Sequence, residues 1–183
     1  MGDSVTLTAT ANSGYLFSNW AEGLTSVSNS STYPFSYAGP RQLAANFQPT
    51  PWTAWQTGRF SAAELLDPAV HGALQAPDHD GICNLLKYAF RLERQHPDLS
   101  QLPKVAAVGD SFSLTYVRNP QATDLTYVVE VSSDLQTWNS GANFTTAPVL
   151  IRDDSLTQTL QVSALPPPAG AAARYVRLRV TGP

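Results

Sequence analysis

The side chains best suited to chemistry cluster in Asp78-His79-Asp80-Gly81-Ile82-Cys83-Asn84. Alternating carboxylates around a glycine, with an amide three residues on, form the donor pattern of an oxygen-rich calcium loop. Such a twelve-residue loop takes oxygens at positions 1, 3, 5, 7 and 9 and a two-oxygen carboxylate at 12. With Gly81 at position 6, Asp78 falls at 3, Asp80 at 5, the Ile82 carbonyl at 7 and Asn84 at 9. Position 1 is then Ala76 and position 12 is Lys87, a cation where calcium wants a carboxylate. The pattern predicts a relic loop that keeps its shape without metal, with Lys87 pairing to Asp78 or Asp80. The competing reading is weak calcium binding through Asp78, Asp80, Ile82 and Asn84, so the expected cofactor is none or weakly bound calcium. A softer ion held by His71 or His79 with Asp80 or Cys83 is a third reading, since imidazole and thiolate suit such metals.

Other chemistry is thinner. Three histidines, His71, His79 and His96, fall in one segment. A hydrolase acting on a glycoside, ester or lactone, with or without calcium, would use His71 or His79 with Asp78, Asp80 or Asp110. No Gly-x-Ser-x-Gly elbow accompanies them, and a bland surface role is the stronger reading. Cys83 reads as a small buried side chain rather than a nucleophile. Trp52 and Trp55 are the candidate ligand-binding residues: sugar rings present apolar C–H faces for which an indole is a flat partner. Their spacing suits a helix face or a clamp, while Trp20 and Trp138 read as core.

The elements that must position these groups predict a mainly β fold with a short helical middle segment. Over residues 1–48, Val5 and Leu7 alternate with threonines, Asn12-Ser13-Gly14 marks a turn, and Leu43, Ala45 and Phe47 alternate again. Pro49 and Pro51 read as a joint where helix and ladder both stop. In residues 49–103, Ser61-Ala62-Ala63-Glu64 is a capping box that starts a short helix ending by Asp67-Pro68. Ile82, Leu85, Leu86, Ala89 and Phe90 make one face of a second helix. Residues 104–183 return to strands around Phe112–Tyr116, Tyr127–Val131, 149–151, 157–162 and Val176–Val180. That spacing predicts a small antiparallel β-sandwich, with Pro166-Pro167-Pro168 as an extended loop before the last strand.

Three stretches carry family resemblances. Gly2-Asp3-Ser4-Val5-Thr6-Leu7-Thr8-Ala9-Thr10, Gly14-Tyr15-Leu16-Phe17 with Trp20, and Leu43-Ala44-Ala45-Asn46-Phe47 resemble the divergent internalin-B-type B repeat of bacterial surface proteins. That resemblance implies a partial β-grasp-like module that starts inside a repeat. Asp78–Tyr88 resembles the calcium loop of dockerin-like and thrombospondin-type-3-like repeats. Thr126–Trp138, with its Val-Glu-x-Ser-x-Asp-Leu-x-x-Trp run, is similar to the C-terminal region of large secreted planctomycete and verrucomicrobial proteins. Together they imply an extracellular or cell-surface location.

Composition points the same way. Only 14% of the 183 residues are charged, the net charge is -3, and the first fifty residues hold just Asp3, Glu22 and Arg41 as charges. Nothing there attracts nucleic acid, which wants clustered positive charge. No apolar run approaches the roughly 20 residues of a membrane span. One cysteine excludes an internal disulfide. The function expected is a non-catalytic accessory or surface module of an exported bacterial protein that contacts polysaccharide. The alternatives are a dedicated carbohydrate-binding module and the small hydrolase above. A half repeat with an exposed sheet edge would also favour self-association.

Overall fold

A computed structural model describes residues 3–108, 111–166 and 174–182. Asp110, Pro167 and Pro168 lie outside them. The elements run β1 (Ser4–Thr8), β2 (Tyr15–Glu22), β3 (Thr25–Ser28), β4 (Thr32–Ser36), β5 (Leu43–Pro49), α1 (Pro51–Arg59), α2 (Pro68–His71), α3 (Asn84–Ala89). Then follow β6 (Lys104–Val108), β7 (Ser111–Arg118), β8 (Thr126–Ser132), β9 (Val149–Asp153), β10 (Gln158–Ser163) and β11 (Tyr175–Thr181). The protein is therefore mainly β with a short helical middle. No helix among the described residues is long and apolar enough to cross a membrane.

The chain divides into two compact units, residues 1–55 and 56–183, and the division falls within α1. In the first unit β1 pairs with β4, and β3, β2 and β5 form a second antiparallel sheet. Aromatic residues supply the packing. Phe17 meets Phe47 edge-on at 5.8 Å, and Trp20 is buried with its Nε1 donating to the Ser31 carbonyl at 3.3 Å. Gly14 sits at a positive φ of 81° in the turn into β2, and a Cβ there would lie 2.6 Å from Thr53 Oγ1. Both the turn and that close approach require glycine.

The proline joint behaves differently from its sequence reading. Pro49 ends β5, but Pro51 begins α1, because proline at a first helical position gives up an N–H that has no partner there anyway. Thr50 caps that turn, accepting from Thr53 N through Oγ1 at 3.2 Å. The polar stretch from Thr25 to Thr32 holds β3, paired to β2, and runs into β4, where Tyr33 and Phe35 lie opposite Leu7 and Val5 of β1.

In the second unit β6-β7-β10-β9 form a four-stranded antiparallel sheet, and β8 and β11 form a two-stranded one. Leu114 and Tyr116 of β7, Leu160 and Val162 of β10 and Val129 of β8 bury one core between them. This is the small antiparallel sandwich. A second cluster, Ile82, Ala89, Phe90 and Leu92, packs α3 and its flanks onto Leu125, Tyr127, Leu178 and Val180. The helix that carries the candidate loop is thus fixed to the β8/β11 sheet by apolar contact.

Candidate functional site

Residues 56 to 94 bring the chemistry together. The capping box forms as read: Ser61 Oγ accepts from Glu64 N at 3.3 Å, and Glu64 Oε2 accepts from Ser61 N at 2.7 Å. It starts only a single 3₁₀ turn over Glu64–Leu66, however. Pro68 does not end a helix; it opens α2, with Asp67 capping Ala69 N at 2.9 Å. From there the chain runs through the loop to α3, and two residues bend it sharply. His79 at φ 57° and Gly81 at φ 76° are both left-handed, and Asp80 Oδ1 accepts from Ile82 N at 2.9 Å across the turn. The loop is tied back by Asn84, fully buried, whose Nδ2 donates to the carbonyls of Val70 (2.8 Å) and Gly72 (2.9 Å).

At the centre of this loop lies an ammonium. Lys87 is fully buried, and its Nζ stands 2.8 Å from Asp78 Oδ2, 2.7 Å from Asp80 Oδ2 and 2.8 Å from the Arg94 carbonyl. The Asp80 contact is an ion pair made by proximity of charge rather than by good hydrogen-bond direction. Arg91, left-handed at φ 55°, ends α3 and turns the chain so that Arg94 faces back to the loop. The Arg94 guanidinium then grips Asp78 through Nε (3.2 Å) and Nη2 (2.9 Å). It also reaches Glu64 Oε1 at 3.1 Å and the Arg59 carbonyl at 2.9 Å, and covers the Phe60 ring at 4.2 Å.

Three carboxylates and two cations thus form one partly buried network. Burial alone would raise the Asp78 carboxyl, but hydrogen bonds from Arg94 and Lys87 outweigh it and hold the group below its usual range. Asp80 is held low in the same way, burial being overcome by Lys87 and the Ile82 N–H. Glu64 is lowered mainly by the Ser61 N–H and hydroxyl, with Arg94 adding to them. The donor set fits calcium poorly. A divalent ion between Asp78 and Asp80 would meet the Lys87 ammonium at hydrogen-bond distance. Among the described residues no group of three or more His, Cys, Asp or Glu side chains could hold a metal ion.

The other sequence candidates lie apart from this network. His71 Nδ1 is 2.9 Å from Gln56 Nε2, which also donates to the His71 carbonyl. The amide makes Nδ1 an acceptor and leaves the ring without a carboxylate behind it. His79 is exposed on the loop, and His96 borders a polar cleft of about 430 Å³ with Arg59, Glu93 and Arg94. No imidazole meets a carboxylate among the described residues. Cys83 is only partly buried. Trp52 and Trp55 share one face of α1, half-buried, with their rings stacked at 5.0 Å and 20°. Trp138 leaves the core reading: it is half-buried, its Nε1 donates to the Leu135 carbonyl at 3.2 Å, and Arg177 lies over its ring. Arg94 and Glu64 are site residues that the loop spacing does not announce.

Residues 1–51, which hold the strands β1 to β5, match the family model of the divergent InlB B-repeat domain and are similar to a β-rich repeat of that kind. Comparison with curated proteins gave no match.

Proposed function

We propose that the chain is a non-catalytic accessory module of an exported bacterial protein, displayed outside the cell or at its surface and contacting polysaccharide. The observation that carries this reading is the Lys87 ammonium seated between Asp78 and Asp80. The carboxylates that a calcium loop or a hydrolase would use are neutralised from within, and the nearest histidines engage an amide or open solvent. The repeat match over residues 1–51 supports a surface role. The 78–94 segment then acts as a metal-free elbow that anchors α3 to its sheet. A second reading, a dedicated carbohydrate-binding module, draws on the stacked Trp52–Trp55 pair.

Thermal melts in millimolar calcium, in chelator, and with a panel of soluble polysaccharides test both parts. The module reading expects superimposable melts with calcium and chelator, because only a binder that prefers the folded state raises Tm. A calcium-dependent rise, or glycoside or ester hydrolysis abolished by His71→Ala or His79→Ala, would overturn it.

A further inference from the structure

The sandwich itself contains a second place where a ligand could sit. A cleft of about 350 Å³ runs between one wall of Tyr116, Tyr127 and Val129 and another formed by the segment from Ser140 to Pro148. That volume lies at the lower end of the roughly 300 to 1,000 Å³ typical of small-molecule sites. Its lining has two properties that decide what it would accept.

The first is charge. No acidic, basic or imidazole side chain lines the cleft. An ion, a phosphate or a carboxylate would leave water without a compensating partner, which is costly. A neutral ligand suffers no such loss. The second is unspent hydrogen bonding. Tyr116 is 3% exposed and Thr145 is 6% exposed, and both line the cleft. Neither side-chain hydroxyl has a hydrogen-bond partner among the described residues, although neighbouring groups are satisfied. Tyr127 donates to the Ala89 carbonyl at 2.8 Å, and Thr146 Oγ1 accepts from Ser163 N at 3.0 Å. Neither hydroxyl is sealed from water, so a ligand in the cleft could supply the partner that solvent otherwise provides.

We propose that this cleft binds one or two sugar rings of a neutral saccharide, with Tyr116 and Thr145 bonding its hydroxyls and Val129 and the tyrosine rings meeting its C–H faces. A neutral sugar combines apolar faces with many hydroxyls and no charge, which is the complement of this lining. The assignment rests on the polysaccharide part of the proposed function but places the contact in the sandwich, independent of Trp52 and Trp55.

The test is an NMR titration of the full chain with cellobiose and maltose, repeated with soluble β-glucan and starch to separate free sugars from polymer ends, and with glucuronic acid as a charged control. The proposal expects amide shifts concentrated at Gly141–Ala147 and Val128–Val129 with a neutral sugar, and none with glucuronic acid. Tyr116→Phe and Thr145→Val should each weaken binding about tenfold, the loss of one neutral hydrogen bond. Ala147→Trp, on the exposed rim, should abolish it while leaving Tm unchanged. Binding that survives all three substitutions overturns the cleft but leaves the module reading intact. So does a titration in which no sugar moves the cleft amides.

Discussion

Arg177 lies with its guanidinium carbon 3.9 Å from the centre of the Trp138 ring, while its Nε donates to Glu130 at 2.8 Å. Glu130, almost fully buried, receives Arg179 Nε at 2.9 Å as well. Asp134 closes the turn between them, accepting from the backbone N–H groups of Thr137 and Gln136 and from Ser132, which brings its carboxyl down to about 2. The Val-Glu-x-Ser-x-Asp-Leu-x-x-Trp run is thus a clamp, in which glutamate and indole hold the arginines of the last strand. Trp138→Ala should cost about 0.5–1 kcal/mol, near the lower figure because Arg177 is partly exposed. Urea denaturation checks this, and an unchanged midpoint would refute it.

Lys87→Met should be far more severe. It leaves partly buried Asp80 without its cation and Asp78 with Arg94 alone among the described residues, and removing one partner of a buried pair costs up to about 3–5 kcal/mol. Loss of less than about 1 kcal/mol in urea would show that the pair is as dispensable as a surface one.

Lys87→Glu probes the same position with the opposite sign. It restores a carboxylate at position 12 of the loop beside Asp78 and Asp80, so repulsion should lower Tm in chelator and millimolar calcium should recover part of the loss. Melts that ignore calcium in this variant would show that the loop has lost cation geometry altogether.

Asn84→Leu should loosen the loop without touching a charge. The buried carbonyls of Val70 and Gly72 both lose their donor, at about 1–3 kcal/mol for each unsatisfied group. Hydrogen exchange should quicken at the Asn84 and Leu85 amides, which bond Gln75 and Ala73. Unchanged protection there would contradict it.

Acid should weaken the network in a defined direction. The Asp78 and Asp80 carboxyls are depressed in the folded chain, so their contribution is complete above the unfolded value of about 3.9 and disappears as pH falls through the lower folded values. Stability should therefore drop more steeply below about pH 4 in the parent chain than in Lys87→Met, where less depression remains to be lost. Parallel acid limbs for the two proteins would disprove the coupling.

Local signals in the sequence carry the elements with a clean period. The threonine alternation of β1 and the aromatic run of β2 fold as their spacing indicates, while α3 is shorter than its apolar face: it spans Asn84–Ala89, and Ile82 and Phe90 join the same core from just outside it. The closeness of Asp78, Asp80 and Lys87 is legible too, since a glycine turn and one helical turn fix it locally. Arg94 and Glu64 are not, because Arg94 reaches Asp78 and Glu64 only after the chain doubles back at Arg91. The start of α1 is hidden because proline both stops and starts helices. β3 is hidden because its partner β2, and not its own polar pattern, holds it. Trp138 misleads because an indole under a guanidinium has the same sequence signature as one in a core.

The ammonium of Lys87 is joined to the backbone it organises, and that has a physiological corollary. A mineral ion has an affinity, and therefore a dilution or a competing sequestrant at which its loop collapses. A lysine head group has neither. On the proposed module reading, the elbow between α2 and α3 sets as the polypeptide folds, with no dissolved cation to recruit first.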